Sequence, residues 1–134
     1  MTGCYLDASA IVKLATAEPE SVALRAWLRE RSSLFTSRIS TVEVARALAR
    51  APEGRVARGR SAVREAFTSV SLAELDADIA NRAADLGPPT VRALDAIHLA
   101  TALAIGDELA EFVTYDRRLA DAARAAGLEV IAPA

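Results

Sequence analysis

Four acidic side chains stand at positions where they can do chemistry together. Asp7 directly follows the apolar run Cys4-Tyr5-Leu6, and Asp116 follows Val113-Thr114-Tyr115. If those runs are parallel neighbouring strands, both carboxylates emerge at one edge, where open α/β sheets bind their ligands. Glu43 lies in Ser40-Thr41-Val42-Glu43, between Val42 and Val44, and Asp95 lies in Arg92-Ala93-Leu94-Asp95-Ala96-Ile97-His98. Asp95 shares a helical face with Leu99 and Ala102, so partial burial is expected for both acids. A buried charge needs a partner, and the nearest arginines are Arg46, three residues after Glu43, and Arg92, three before Asp95. Ionised carboxylates about 6 Å apart repel by roughly 3 kcal/mol per pair at an effective dielectric of about 20, so convergence demands protonation or a divalent cation.

An all-oxygen site suits Mg2+ or Mn2+, because hard cations prefer carboxylate and water ligands. With one histidine and one cysteine in the chain, an ordinary zinc site would need heavy carboxylate help. Ser9 and Thr114 lie close to Asp7 and Asp116 in sequence, and their hydroxyls can orient a carboxylate or a metal-bound water. His98 as the base of a Ser-His-Asp arrangement finds no G-x-S-x-G elbow to present a serine, and no G-x-x-x-x-G-K-[ST] phosphate loop is present. His98 is instead expected to pack within its alanine- and leucine-rich helix. A plainer reading exists for each acid. Ser40-x-x-Glu43 has the spacing of a capping box, Asp95 and Asp116 suit N-caps, and Asp7 can hold the turn into the next helix.

From Arg46 to Arg64 the chain holds six arginines (46, 50, 55, 58, 60 and 64) against one acid, Glu53. Arg46, Arg50, Arg55, Arg58 and Arg60 are the candidates for contact with a polyanion. A solvated helical face explains the same cluster, since Pro52, Gly54 and Gly59 interrupt it and no aromatic lies within it for base stacking.

The elements that must position these residues alternate. The runs Cys4-Tyr5-Leu6, Leu34-Phe35-Thr36, Phe112-Val113-Thr114 and Leu128-Glu129-Val130-Ile131 read as strands. Helices are expected over 9–15, 19–31, 40–50, about 56–67, 74–86, 93–106 and 117–126, with Pro19 in a first turn and Gly127 just past an end. Gly87-Pro88-Pro89 is a break. Strands alternating with helices predict an α/β fold, a parallel sheet covered on both faces.

The 134 residues, 52% of them hydrophobic, suit one domain spanning 1–134. A lone cysteine excludes an internal disulfide, and no apolar run approaches a membrane span, so a cytoplasmic location without membrane association is expected. The net charge of −2 is unevenly spread: residues 1–70 carry 11 basic and 7 acidic side chains (+4), residues 71–134 carry 5 and 11 (−6). Fifteen of the sixteen basic residues are arginine, which suits paired contacts to phosphate oxygens.

Taken in order, four blocks resemble the PIN-domain family, particularly the VapC toxins of toxin–antitoxin pairs. They are Tyr5-Leu6-Asp7-Ala8-Ser9-Ala10-Ile11-Val12-Lys13-Leu14, Ser40-Thr41-Val42-Glu43-Val44-Ala45-Arg46-Ala47, Leu94-Asp95-Ala96-Ile97-His98-Leu99-Ala100-Thr101-Ala102 and Phe112-Val113-Thr114-Tyr115-Asp116-Arg117-Arg118-Leu119. The ending Gly127-Leu128-Glu129-Val130-Ile131 fits as well, so the resemblance spans nearly the whole chain. It implies a PIN-like (Rossmann-like) three-layer fold, a Mg2+- or Mn2+-dependent endoribonuclease acting on RNA, a homodimer, and an antitoxin covering the active site. Asp7, Glu43, Asp95 and Asp116 match the family's acidic quartet, and Ser9 and Thr114 its flanking hydroxyl positions. Two rivals come from other classes: a catalytically silent PIN-fold binding module, and an aspartyl phosphatase or phosphotransferase with Asp7 as nucleophile. The second usually needs a further aspartate at position 9, where this chain has Ser9.

Overall fold

In the computed structural model, residues 3–52 and 59–134 are described, Gly59 and Arg60 by their backbone alone. Five strands, β1 (Gly3–Leu6), β2 (Ser33–Ser37), β3 (Val70–Ala73), β4 (Leu109–Val113) and β5 (Val130–Ile131), form one sheet among the described residues. Its order is β3-β2-β1-β4-β5, and every pairing is parallel. The helices are α1 (Ala8–Ala15), α2 (Ser21–Leu28), α3 (Ile39–Arg50), α4 (Gly59–Thr68), α5 (Ala77–Asp85), α6 (Ala93–Ile105) and α7 (Arg117–Ala125). Chain order grows outward from β1 in both directions, so β1 and β4 flank the point at which the topology switches, the place where open α/β sheets bind their ligands.

β1 is buried along its whole length, as a central parallel strand must be. Its side chains alternate between faces. Cys4 and Leu6 join Ile11, Leu24, Val44 and Val113 in one core, packed against α1 to α4. Tyr5 joins Leu99, Phe112, Leu119 and Ala123 in the other, under α6 and α7. The result is three layers, helices on both faces of a parallel sheet, as the alternation of elements predicts. At Gly3 a methyl group would press on the Glu108 carbonyl, so β1 passes the entry to β4 too closely for any side chain.

Elements expected from sequence recur with shifted ends, and one strand joins them that the apolar runs do not predict. Val70–Ala73 forms the edge strand β3, paired with β2 from Leu34 to Ser37. α7 ends on Gly127 at φ +90, with Gly127 N–H donating to Arg124 O and Leu128 N–H to Ala123 O, the bond pair of a Schellman cap. No helix among the described residues is long and apolar enough to cross a membrane.

Candidate active site

Asp7 leaves β1 as the N-cap of α1, with its Oδ1 accepting from Ala10 N–H at 3.0 Å. Ser9 Oγ donates to the same oxygen at 2.7 Å, and Thr114 Oγ1, just past β4, donates to Oδ2 at 2.6 Å. The carboxylate is 3% exposed. Among the described residues its donors are therefore two hydroxyls and one backbone N–H, with no cation in contact. Burial pushes its pKa up, and the bonds from Thr114, Ser9 and Ala10 only partly oppose that.

Thr114 ties two acids together. Its Oγ1 also accepts from Asp116 N–H at 3.1 Å, and Ser9 Oγ accepts from Tyr115 N–H at 2.9 Å, so the turn after β4 is stitched to the turn after β1. Asp116 caps α7, Oδ1 accepting from Arg118 and Leu119 N–H, and its side chain is exposed. Capping thus describes Asp7 and Asp116 correctly as local structure. It does not describe the other two.

α3 begins at Ile39, with Arg38 at the N-cap and no side-chain cap bond. The Ser40 hydroxyl is occupied with that of Thr36 at 2.7 Å, and Glu43 reaches away from its own helix to His98, Oε1 to Nε2 at 2.7 Å. The capping box is therefore not formed. Asp95 is not an N-cap either: it lies in the first turn of α6, whose N-cap is Arg92. Its carboxyl is raised above the ordinary aspartate range by burial first, then by the like charge of Asp116, with Glu43 adding in the same direction and His98 and Arg92 opposing. Mutual repulsion is the physical sign that Asp95, Asp116 and Glu43 share one neighbourhood. Asp7 joins it through the turn stitched by Thr114.

His98 packs in α6 as expected, 2% exposed, but it is not idle: its Nδ1 meets the Tyr5 hydroxyl at 2.7 Å while Nε2 meets Glu43. No serine bonds to it, so a Ser-His-Asp arrangement is absent among the described residues. Arg46 and Arg50 are exposed along the later turns of α3. Arg55 and Arg58 lie outside the described residues, as does the side chain of Arg60.

The chemistry of this set fits a hard divalent cation, since every candidate donor is a carboxylate or hydroxyl oxygen and, among the described residues, the buried Asp7 carboxylate has no cation of its own. No three His, Cys, Asp or Glu among the described residues form a ready ligand group. Mg2+ does not require one, because it ordinarily takes one or two carboxylates and completes its shell with water and substrate phosphate.

The sequence profile of the PIN domain family matches residues 4–125. Ribonuclease VapC46 of Mycobacterium tuberculosis is 46% identical over 133 residues, covering 99% of each chain. Among solved structures, Mycobacterium tuberculosis VapC20, described as a toxin that cleaves the sarcin–ricin loop, superposes with a TM-score of 0.71 at 18% identity, over 97% of this chain and 99% of its own. A chain of a toxin–antitoxin complex from Klebsiella pneumoniae superposes with a TM-score of 0.70 at 23% identity, over 98% of each chain. Profile, relatives and the parallel α/β sheet agree: the chain belongs to the PIN domain family.

Proposed function

We propose that this chain is a Mg2+- or Mn2+-dependent endoribonuclease and the toxin of a toxin–antitoxin pair, with Asp7, Glu43, Asp95 and Asp116 as its acidic site. The observation that carries this reading is the placing of Asp7 and Asp116 just past β1 and β4, with Asp116 and Glu43 near enough to Asp95 to repel it, and Asp7 buried with no cation partner among the described residues. A ribonuclease name on a relative covering 99% of the chain supports the same activity here.

Asp7 and Asp95 would be the direct ligands of the cation, and Asp116 and Glu43 would hold it directly, hold it through water, or orient the nucleophile. A cation held there would supply the positive charge that activates a water and stabilises the leaving oxygen. The protein's share is orientation. Ser9 and Thr114 fix both oxygens of Asp7, so that carboxylate is held in place before any ligand arrives. Arg46 and Arg50 offer exposed positive charge on the helix that carries Glu43, which steers a polyanion toward the acids.

Val42 and Leu94 are 61% and 49% exposed, each one residue from an acid of the site. Exposed apolar side chains next in sequence to two of the acids suit a protein partner better than RNA. An antitoxin that lays apolar side chains there and an arginine fork on the carboxylates would silence the enzyme. A homodimer of one-domain subunits, with the protein in the cytoplasm, completes the proposal.

The test is cleavage of an RNA by the purified chain. Cleavage should need Mg2+ or Mn2+, stop with EDTA and resume when metal is restored. A protein that binds neither metal by calorimetry and cleaves nothing is the silent binding module instead.

A further inference from the structure

His98 is the chain's single histidine, and both of its ring nitrogens are committed. Nδ1 is 2.7 Å from the Tyr5 hydroxyl and Nε2 is 2.7 Å from Glu43 Oε1. The ring is 2% exposed, and Tyr5 is fully buried, stacked on Phe112 at 5.1 Å and edge-on to the imidazole at 5.8 Å. Neither side chain has room to turn away.

The direction of these bonds can be worked out. An ionised carboxylate has no proton to give, so the bond at Nε2 is donated by the imidazole. A neutral imidazole then carries a lone pair on Nδ1, which the Tyr5 hydroxyl fills with its only proton. A one-way chain results, from Tyr5 through His98 to Glu43. It joins β1, α6 and α3, and the two helices are those that carry Asp95 and Glu43.

We propose that His98 is a positioning residue for Glu43: held as the Nε2–H tautomer by the Tyr5 hydroxyl, it donates to Glu43 Oε1 and fixes that carboxylate within the acidic cluster. The inference rests on the nuclease reading above for its consequence, but not for its geometry. Glu43 has three rotatable side-chain bonds and feels the like charge of Asp95, so without His98 it would swing outward to solvent. With Oε1 held, Oε2 remains for water or a cation. The same logic orients metal-binding groups elsewhere, with a buried partner setting the tautomer.

Two measurements test this. In uniformly 15N-labelled, metal-free protein at neutral pH, a long-range 1H–15N spectrum of the one imidazole should show Nε2 protonated and Nδ1 bare. Tyr5→Phe, which keeps the buried ring, should weaken that preference. Protonated Nδ1 in the wild type, or a mobile ring averaging both forms, would overturn the proposal whether or not the protein cleaves RNA. In the cleavage assay, Tyr5→Phe and His98→Gln should each lower kcat by about tenfold to a hundredfold with KM for RNA little changed. In a Glu43→Ala background, which leaves no side-chain acceptor for His98, the same substitutions should change kcat by less than about twofold, because a residue that acts only through Glu43 has nothing left to position. Equal losses in both backgrounds would show that His98 supports the fold and not Glu43. Absence of cleavage by the wild type under any metal would defeat the nuclease reading, and the spectrum would still decide the tautomer.

Discussion

Replacing Asp7 by Asn should stabilise the metal-free protein at neutral pH, although it strikes the most hydrogen-bonded acid of the site. Asp7 is 3% exposed, and burial raises its pKa in the folded state above the ordinary 3.8. A raised folded pKa means that the folded protein holds the proton longer than the unfolded chain does. Wild-type stability from this group is therefore complete below pH 3.8 and is lost as pH rises from there to the raised value. Asn keeps the shape, the Oδ1 acceptor for Ser9 and Ala10, and no charge. Near the acid end the two proteins should differ little, since a protonated Asp7 and an amide make the same demand on the Thr114 hydroxyl. Across the window the variant should gain about 1.4 kcal/mol on wild type for each pH unit. That corresponds to about 3–5 °C of melting midpoint per kcal/mol at this chain length. Scanning calorimetry in EDTA, from the acid side of 3.8 to neutrality, reads the gap directly. Saturating Mn2+ should then narrow or reverse it, since the ligand stabilises only a protein that binds it. A gap that stays constant with pH, or a variant that melts lower at neutral pH in EDTA, would refute the burial argument.

Thr114→Val removes the donor to Asp7 Oδ2 and the acceptor of Asp116 N–H at a buried position, and should cost about 1–3 kcal/mol; Thr114→Ser should recover most of it in the same thermal melts. Arg46→Glu with Arg50→Glu should weaken RNA binding at low salt and flatten its salt dependence by about 0.7 in log–log slope for each phosphate the two arginines neutralise. An unchanged slope in a filter-binding titration would remove them from the RNA path.

The two acids at strand ends are legible in the sequence because a parallel sheet presents whatever follows its strands: Asp7 and Asp116 follow apolar runs, and β1 and β4 are neighbours in the sheet. Glu43 and Asp95 stand out as acids among apolar residues, but their local geometry does not. Ser40-x-x-Glu43 has the spacing of a capping box, yet α3 starts one residue earlier and Ser40 turns to Thr36, a bond between a strand and a helix that spacing does not encode. The role of His98 is hidden for the same reason. Its partners Glu43 and Tyr5 are 55 and 93 residues away in sequence, and only the sheet order brings them together. β3 leaves little trace because Val70-Ser71-Leu72-Ala73 is short, and as an edge strand it exposes Ser71, so it shows neither a continuous apolar run nor a clear turn on either side.

What the acids do to RNA is the most direct measure of the site. Wild type, Asp7→Asn and Asp95→Asn, each shown to be folded by its melting transition, should be compared on one RNA with saturating Mn2+. A metal-holding acidic site predicts cleavage by wild type that EDTA abolishes, and loss of cleavage in both variants because charge compensation of the cation is gone. Cleavage that persists undiminished in both variants would place the active site elsewhere and contradict it.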